Sequence, residues 1–331
     1  MRKPSLTATA AIAAAATITL GAWSTACGAQ GYPSRPITMV VPAPPGGTTD
    51  ALARALAEDL GKRLGQPIVI DNKGGGNGVI AVQAVTRATP DGYTLLLTHS
   101  TPLLNTPHLT RNVSYDARRD LAFVSKLAVG KIVLAVNRDV PARNVQELLA
   151  WAAKNQGKVS YGSYGVGALP HLVGAYFNQS RGLDMAHVAY KGEMPMVQDM
   201  IGGNIAWAVG SMTTLGPQIR SGRIRALAVL GDKRIKELPG VPTMAEAGLA
   251  EQELRSPAWL GLFVRAGTPA PVQARLEAEA RASIQSPAMR ARLDALSLEP
   301  VGSSGAEFRR EFDTQEPVVA RMIKATGVTP E

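Results

Sequence analysis

Residues 44–50, Pro-Pro-Gly-Gly-Thr-Thr-Asp, set two glycines, two hydroxyls and a carboxylate directly after an apolar, β-branched run at 37–41. Glycines let a ligand approach the main chain with no Cβ in the way, and a helix starting just after them points unpaired N–H groups into the loop. Thr48, Thr49 and Asp50 are all N-cap types, so Pro45, Gly46, Gly47, Thr48, Thr49 and Asp50 form a candidate anion site. Asp50 introduces a tension, since its charge competes with an anionic ligand; it either caps the helix or receives a ligand ammonium or hydroxyl. The plainer alternative is a strand-to-helix turn whose glycines serve geometry alone.

A second group lies at 161–171, Tyr-Gly-Ser-Tyr-Gly-Val-Gly-Ala-Leu-Pro-His. Ser163, Gly165 and Gly167 ahead of a helix place a second nest of N–H groups opposite the first, an arrangement suited to a ligand bearing carboxylates. The same stretch nearly fits the dinucleotide fingerprint GxGxxG, but Pro170 occupies the third glycine position, where close helix–strand packing needs glycine. No nicotinamide dinucleotide is therefore expected, GxxxxGK[ST] does not occur, and no cofactor is expected. Nucleophile chemistry fares no better, because Tyr161 stands where GxSxG requires its first glycine. His99, His108, His171 and His187 are too scattered for HExxH, and the single cysteine, Cys27, falls near the N-terminus, so no metal centre is expected. His171 also reads as a capping histidine, His187 as a structural one within a strand, and Trp259 as either a ligand wall or a packing residue.

The elements that would position these loops follow from periodicity. Strand-type runs at 37–41, 68–70 and 93–98 alternate with helical spacing at 50–60 and 79–88, which implies parallel βαβ units with ligands at the carboxyl ends of the strands. Besides residues 44–50, that rim carries His99, Ser100 and Thr101. From 131 the alternation repeats: strands at 131–137, 159–163, 185–190, 205–209 and 226–230, and helices at 144–155, 169–178, 195–201 and 215–221. Its loops, including the one bearing Ser211, form a second rim. One more strand at 259–265 precedes helices at 271–285, 288–296 and 306–326, too little for a third sheet. The chain is expected to return to the first unit, giving one lobe from 30–130 and 257–331, a second from 131–256, and a hinge of two crossovers.

Hydrophobic content of 45% with 18% charged residues describes a globular protein, and 331 residues suit two domains. Arg2 and Lys3, an alanine-rich uncharged run and then small residues follow the order of a secretory signal, with cleavage expected after Ala29 and residues 1–29 removed. Cleavage after Ala26 with lipidation of Cys27 is the competing reading. Without residues 1–30 the formal charge falls from +9 to +7. Its basic residues are dispersed and no aromatics interleave with them, which argues against nucleic acid and leaves a mild attraction for anions.

YPSRPITMVVPAPPGGTTD, LGQPIVIDNKGGGNG, PDGYTLLLTHS, YGSYGVGALPH, VAYKG, IRALAVLGDKR, LPGVPTMAEAGL and WLGLFVRAGTP occur in that order. Together they resemble the Bug family of extracytoplasmic solute receptors, the substrate-binding proteins of tripartite tricarboxylate transporters. The resemblance implies an α/β, type II periplasmic-binding-protein fold, with two lobes closing on a small organic acid in an interlobe cleft, and no enzymatic activity. It also implies a periplasmic location, delivery of the ligand to the two membrane permease subunits of the transporter, and a monomeric receptor. Ligand contacts carried over by position are Pro45, Gly46, Gly47, Thr48, Thr49 and Asp50; His99, Ser100 and Thr101; and Ser163, Tyr164, Gly165, Gly167 and His171, with Ser211 on the second rim.

Departures from the family pattern shape the expected pocket. Thr48 replaces a usual glycine, Tyr164 a small residue, and Ala168-Leu169 a hydroxyl-bearing pair; IAWAVGS at 205–211 stands for VDMMFDN, so acids are missing at Ala206 and Gly210. A bulkier and less polar second-lobe pocket is expected. Two other readings remain open at this level: a ligand sensor that signals to a membrane partner, and a periplasmic hydrolase or isomerase on a sheet of this type.

Overall fold

A computed structural model describes residues 31–255 and 258–330. The expected leader and Cys27 lie outside the described residues. The chain opens with β1 (Ile37–Val41), α1 (Thr48–Leu64), β2 (Ile68–Asn72), α2 (Val79–Thr86) and β3 (Thr94–His99). Three single-turn helices, α3 (Thr101–Leu104), α4 (Thr106–Leu109) and α5 (Ala117–Asp120), lead to the long β4 (Leu121–Gly130). A second series follows: β5 (Ile132–Asn137), α6 (Val145–Lys154), β6 (Ser160–Ser163), α7 (Leu169–Arg181), β7 (Ala186–Ala189), α8 (Glu193–Ile201), β8 (Trp207–Ser211), α9 (Met212–Arg220) and β9 (Ile224–Leu230). The last elements are β10 (Trp259–Arg265), α10 (Ala270–Gln285), α11 (Pro287–Ala295), β11 (Leu298–Pro300) and α12 (Gly305–Ala325).

These elements build two sheets, ordered β11-β4-β10-β3-β1-β2 and β7-β6-β8-β5-β9. β2, β1 and β3 are parallel, as strands joined by helices must be, and β10 enters antiparallel between β3 and β4. In the second sheet β7, β6 and β8 are parallel, and β5 runs antiparallel to both of its neighbours, β8 and β9. Both sheets are buried on two faces. Ile37, Met39 and Val41 of β1 pack with Leu52, Leu56 and Leu60 of α1, while the intervening Val40 joins α2 and α12 on the other face. Leu134 and Val136 of β5 divide in the same way from Val133 and Ala135.

The crossovers between the sheets lie side by side. Only Lys131 separates β4 from β5, and the Gly130 N–H donates to the Ala258 carbonyl of the returning strand at 2.7 Å. Trp259 is a packing residue, fully buried against Phe308, with its indole N–H on Gln315 Oε1 at 2.9 Å. β11, which no periodicity in the sequence predicts, is a three-residue edge ending in proline; it exists through pairing with β4. α9 starts at Met212, three residues before the expected point, because Ser211 caps it through the Thr214 N–H.

Candidate functional site

A cavity of about 190 Å³ opens between the sheets at the carboxyl ends of β1 and β3 and of β6 and β8. Thr48 and Thr49 at the start of α1, with His99, Ser100 and Thr101 after β3, form the wall of the first lobe. Tyr164, Leu169, Glu193, Ser211 and Thr213 form the facing wall, and Gly130, Lys131 and Ala258 of the crossovers close the back. Gly165 lines an adjoining space that shares His99, Thr101 and Tyr164.

The start of α1 carries no side-chain cap; Gly47 holds the N-cap position in extended backbone. The first N–H groups of the helix therefore lack partners within it, and the positive end of its dipole faces the cavity at Thr48 and Thr49. Asp50 does not compete for that place, which resolves the tension in the sequence. Its buried carboxylate turns back to accept from Gly46 N–H, Arg54 Nε and Asn72 Nδ2, each at 2.9 Å. Arg54 above all holds it down to about 2. Asp50 thus braces the loop and does not cap the helix, and it does not line the cavity; Pro45, Gly46 and Gly47 form an exposed turn outside the lining.

His99 Nδ1 is buried with no hydrogen-bond partner, and burial pushes the imidazole down to about 4, so it stays neutral at ordinary pH. A neutral ring beside uncapped N–H groups neither repels a cation nor supplies charge to an anion; it offers one donor or acceptor according to tautomer.

Three predicted contacts on the second lobe lie off the cavity wall. Ser163 is fully buried; its hydroxyl donates to Gly165 O at 2.9 Å and so accepts from His187 Nε2 at 2.7 Å. His187 stacks on His171 with ring centroids 4.0 Å apart, and His171 Nδ1 accepts the Gly167 N–H at 2.9 Å. The Gly167 N–H is therefore consumed, and the Gly165 N–H donates to Ser163 Oγ at 3.3 Å, so the second nest expected from Ser163, Gly165 and Gly167 has both glycine N–H groups taken within the protein. Gly167 instead meets the other lobe: its carbonyl accepts from Asn105 Nδ2 at 2.9 Å across 62 residues of sequence.

The second wall also carries an acid that the sequence expectation did not include. Tyr164 supplies the added bulk, but Glu193 returns a carboxylate to the second wall. It accepts from the Ser211 N–H and from the hydroxyls of Ser211 and Thr214, both at 2.9 Å. A Cβ on Gly210 would lie 2.6 Å from Glu193 Oε1, so the missing side chain on β8 makes the room. Burial raises the Glu193 carboxyl against the pull of those donors, and burial with the neighbouring Glu193 charge lifts the Tyr164 phenol far above its usual range. Glu193, Asn105, Lys131 and Thr213 were missed in the sequence; for Glu193 the available signal was an acid opening a helix directly after Gly192.

A family model described as tripartite tricarboxylate transporter family receptor matches residues 52–328. The protein BugT of Bordetella pertussis (strain Tohama I) is 35% identical over 300 residues, covering 90% of this chain and 91% of its own. Among solved structures, the periplasmic binding protein BugD aligns with a TM-score of 0.76 at 32% identity, over 91% of this chain and 100% of its own. The R. palustris protein Rpa4515, solved with adipate, aligns with a TM-score of 0.79 at 30% identity over the same shares.

Proposed function

This chain belongs to the tripartite tricarboxylate transporter receptor family, and from that premise we propose that it captures a small organic carboxylate between its lobes and presents it to membrane permease subunits. The observation that carries the reading is the uncapped start of α1, facing a cavity walled by both lobes. An anion there satisfies N–H groups that no side chain serves, and a cavity shared by two walls is completed only when the lobes meet. In this reading Thr48, Thr49, His99, Ser100, Thr101 and Tyr164 touch the ligand, with Gly165 at the margin, and Ser211 lines the cavity with both of its donors held by Glu193. Asp50, Ser163, Gly167 and His171 shape the loops around it.

The lobes divide at Gly130–Lys131 and again where the chain returns to β10, and the paired crossovers act as the hinge. Adipate in the R. palustris relative supports a carboxylate as ligand class. We further propose a secreted, monomeric receptor. No helix among the described residues is long and apolar enough to cross a membrane.

The test is a thermal-shift screen of the leaderless protein, unfolded and refolded to strip carried ligand, against mono-, di- and tricarboxylates and amino acids. A ligand at a hundred times its dissociation constant adds about 2.7 kcal/mol, which raises the melting temperature by several degrees. A screen without any shift, from protein shown to have refolded, overturns the reading.

A further inference from the structure

We propose that Glu193 makes this cleft selective for an aminocarboxylate, receiving the ligand's ammonium while the α1 end of the cavity takes its carboxylate. The proposal deepens the receptor reading and depends on it. Glu193 lies half-buried in the cavity wall. Its two oxygens already hold the Ser211 N–H and two hydroxyls, the very donors at the start of α9 that a ligand carboxylate would otherwise find. That helix start is closed to anions. A carboxylate offers about four acceptor directions, and three are filled by these contacts.

Its charge has no counterpart. None of the ion pairs among the described residues includes Glu193, and Lys131, the lysine in the same cavity wall, is held by Glu237 at 2.7 Å. A carboxylate drawn into a cavity beside Tyr164 and Leu169 is costly unless something cationic pairs with it. The two ends of the cavity thus differ in sign: uncapped N–H groups at Thr48 and Thr49, an unpaired carboxylate at Glu193. A dicarboxylate suits the first end and meets like charge at the second. A molecule with one carboxylate and one ammonium suits both.

Titration calorimetry on the stripped protein tests this with malonate through adipate against the α- and ω-amino acids of the same carbon number. An aminocarboxylate is expected to bind at least about tenfold tighter than its dicarboxylate counterpart, and Glu193→Gln to erase that ratio. If Glu193→Gln melts without cooperativity, Glu193→Ala replaces it; by freeing Ser211 and Thr214 it is expected to raise dicarboxylate affinity. Wild-type preference for the dicarboxylates overturns the proposal and leaves the receptor reading standing. A preference for aminocarboxylates that survives in a folded Glu193 variant also overturns it. Binding by neither series overturns the proposal, and the receptor reading is then decided by the wider thermal-shift screen.

Discussion

Gly167 is under two constraints at once. Its φ of 74° is left-handed, and a Cβ there would come within 2.0 Å of Leu109 Cδ1 on the opposite lobe. The second constraint exists only while the lobes meet. Gly167→Ala is therefore expected to weaken ligand binding by about tenfold, more than its backbone strain of roughly 1–2 kcal/mol lowers stability. Leu109→Ala on that background should recover part of the affinity, and a double-mutant titration without recovery would place the effect in strain alone. His187 gives a second prediction at this scale. Burial and then His171 push it down to about 4 from an ordinary 6.5. Between those values the unfolded chain binds more protons than the folded one, so stability falls as pH drops from 6.5 towards 4 and is unaffected by this group above 6.5. Melting temperatures of His187→Gln across that range should show a shallower acid limb than wild type; parallel curves refute the assignment. Glycine pairs and hydroxyls could be read in the sequence as loop chemistry. The proton allocation among Ser163, His187, His171 and Gly167 could not, since it depends on side chains brought together from three separate elements.

At the scale of elements, strong periodicity carried far. α1, α10, α12 and β10 were legible because apolar residues at helical spacing, or an apolar run of strand length in β10, exceeded any competing local signal. Elements made by tertiary contact were not, β11 being the plainest case. α12 shows both sides. Its start was visible, and Ser304 with Glu307 forms a capping box there. Its docking was invisible: a Cβ on Gly305 would lie 2.1 Å from the Phe123 carbonyl oxygen of β4, a backbone atom that has no rotamer to escape through. Gly305→Ala should separate α12 from the sheet and cost roughly 1–3 kcal/mol, the range for overpacking. Denaturant unfolding should show a lower midpoint at unchanged slope. An unaltered midpoint would mean the helix shifts without penalty.

At the scale of the molecule, the two sheets explain the discontinuous chain: β10 needs a place between β3 and β4, so the chain must return after β9. What no pattern in the sequence announced is the charge arrangement beside the crossovers. Lys131, Lys233 and Lys236 from the second lobe face Asp294 and Glu299 from the first, at 3.9, 2.5 and 2.9 Å. Thr213 Oγ1 adds a hydrogen bond to the Leu296 carbonyl at 2.8 Å. Lys233 and Lys236 are mostly exposed, so each of their pairs contributes only about 0–1 kcal/mol, and salt weakens it. The buried Lys131 is different, since opening the lobes removes Asp294 from a charge with little water around it. In the receptor reading these contacts bridge the lobes beside the hinge, so their loss is expected to act on closure and hence on affinity, with little effect on either lobe's own stability. Asp294→Asn is expected to raise the ligand dissociation constant by about threefold to tenfold at low ionic strength, and by less at 0.5 M salt, while the melting temperature without ligand stays within about a degree. Titrations at the two salt concentrations decide it: a loss of affinity independent of salt would show that Asp294 acts through packing of α11, and no loss at all would show that the hinge closes without its help.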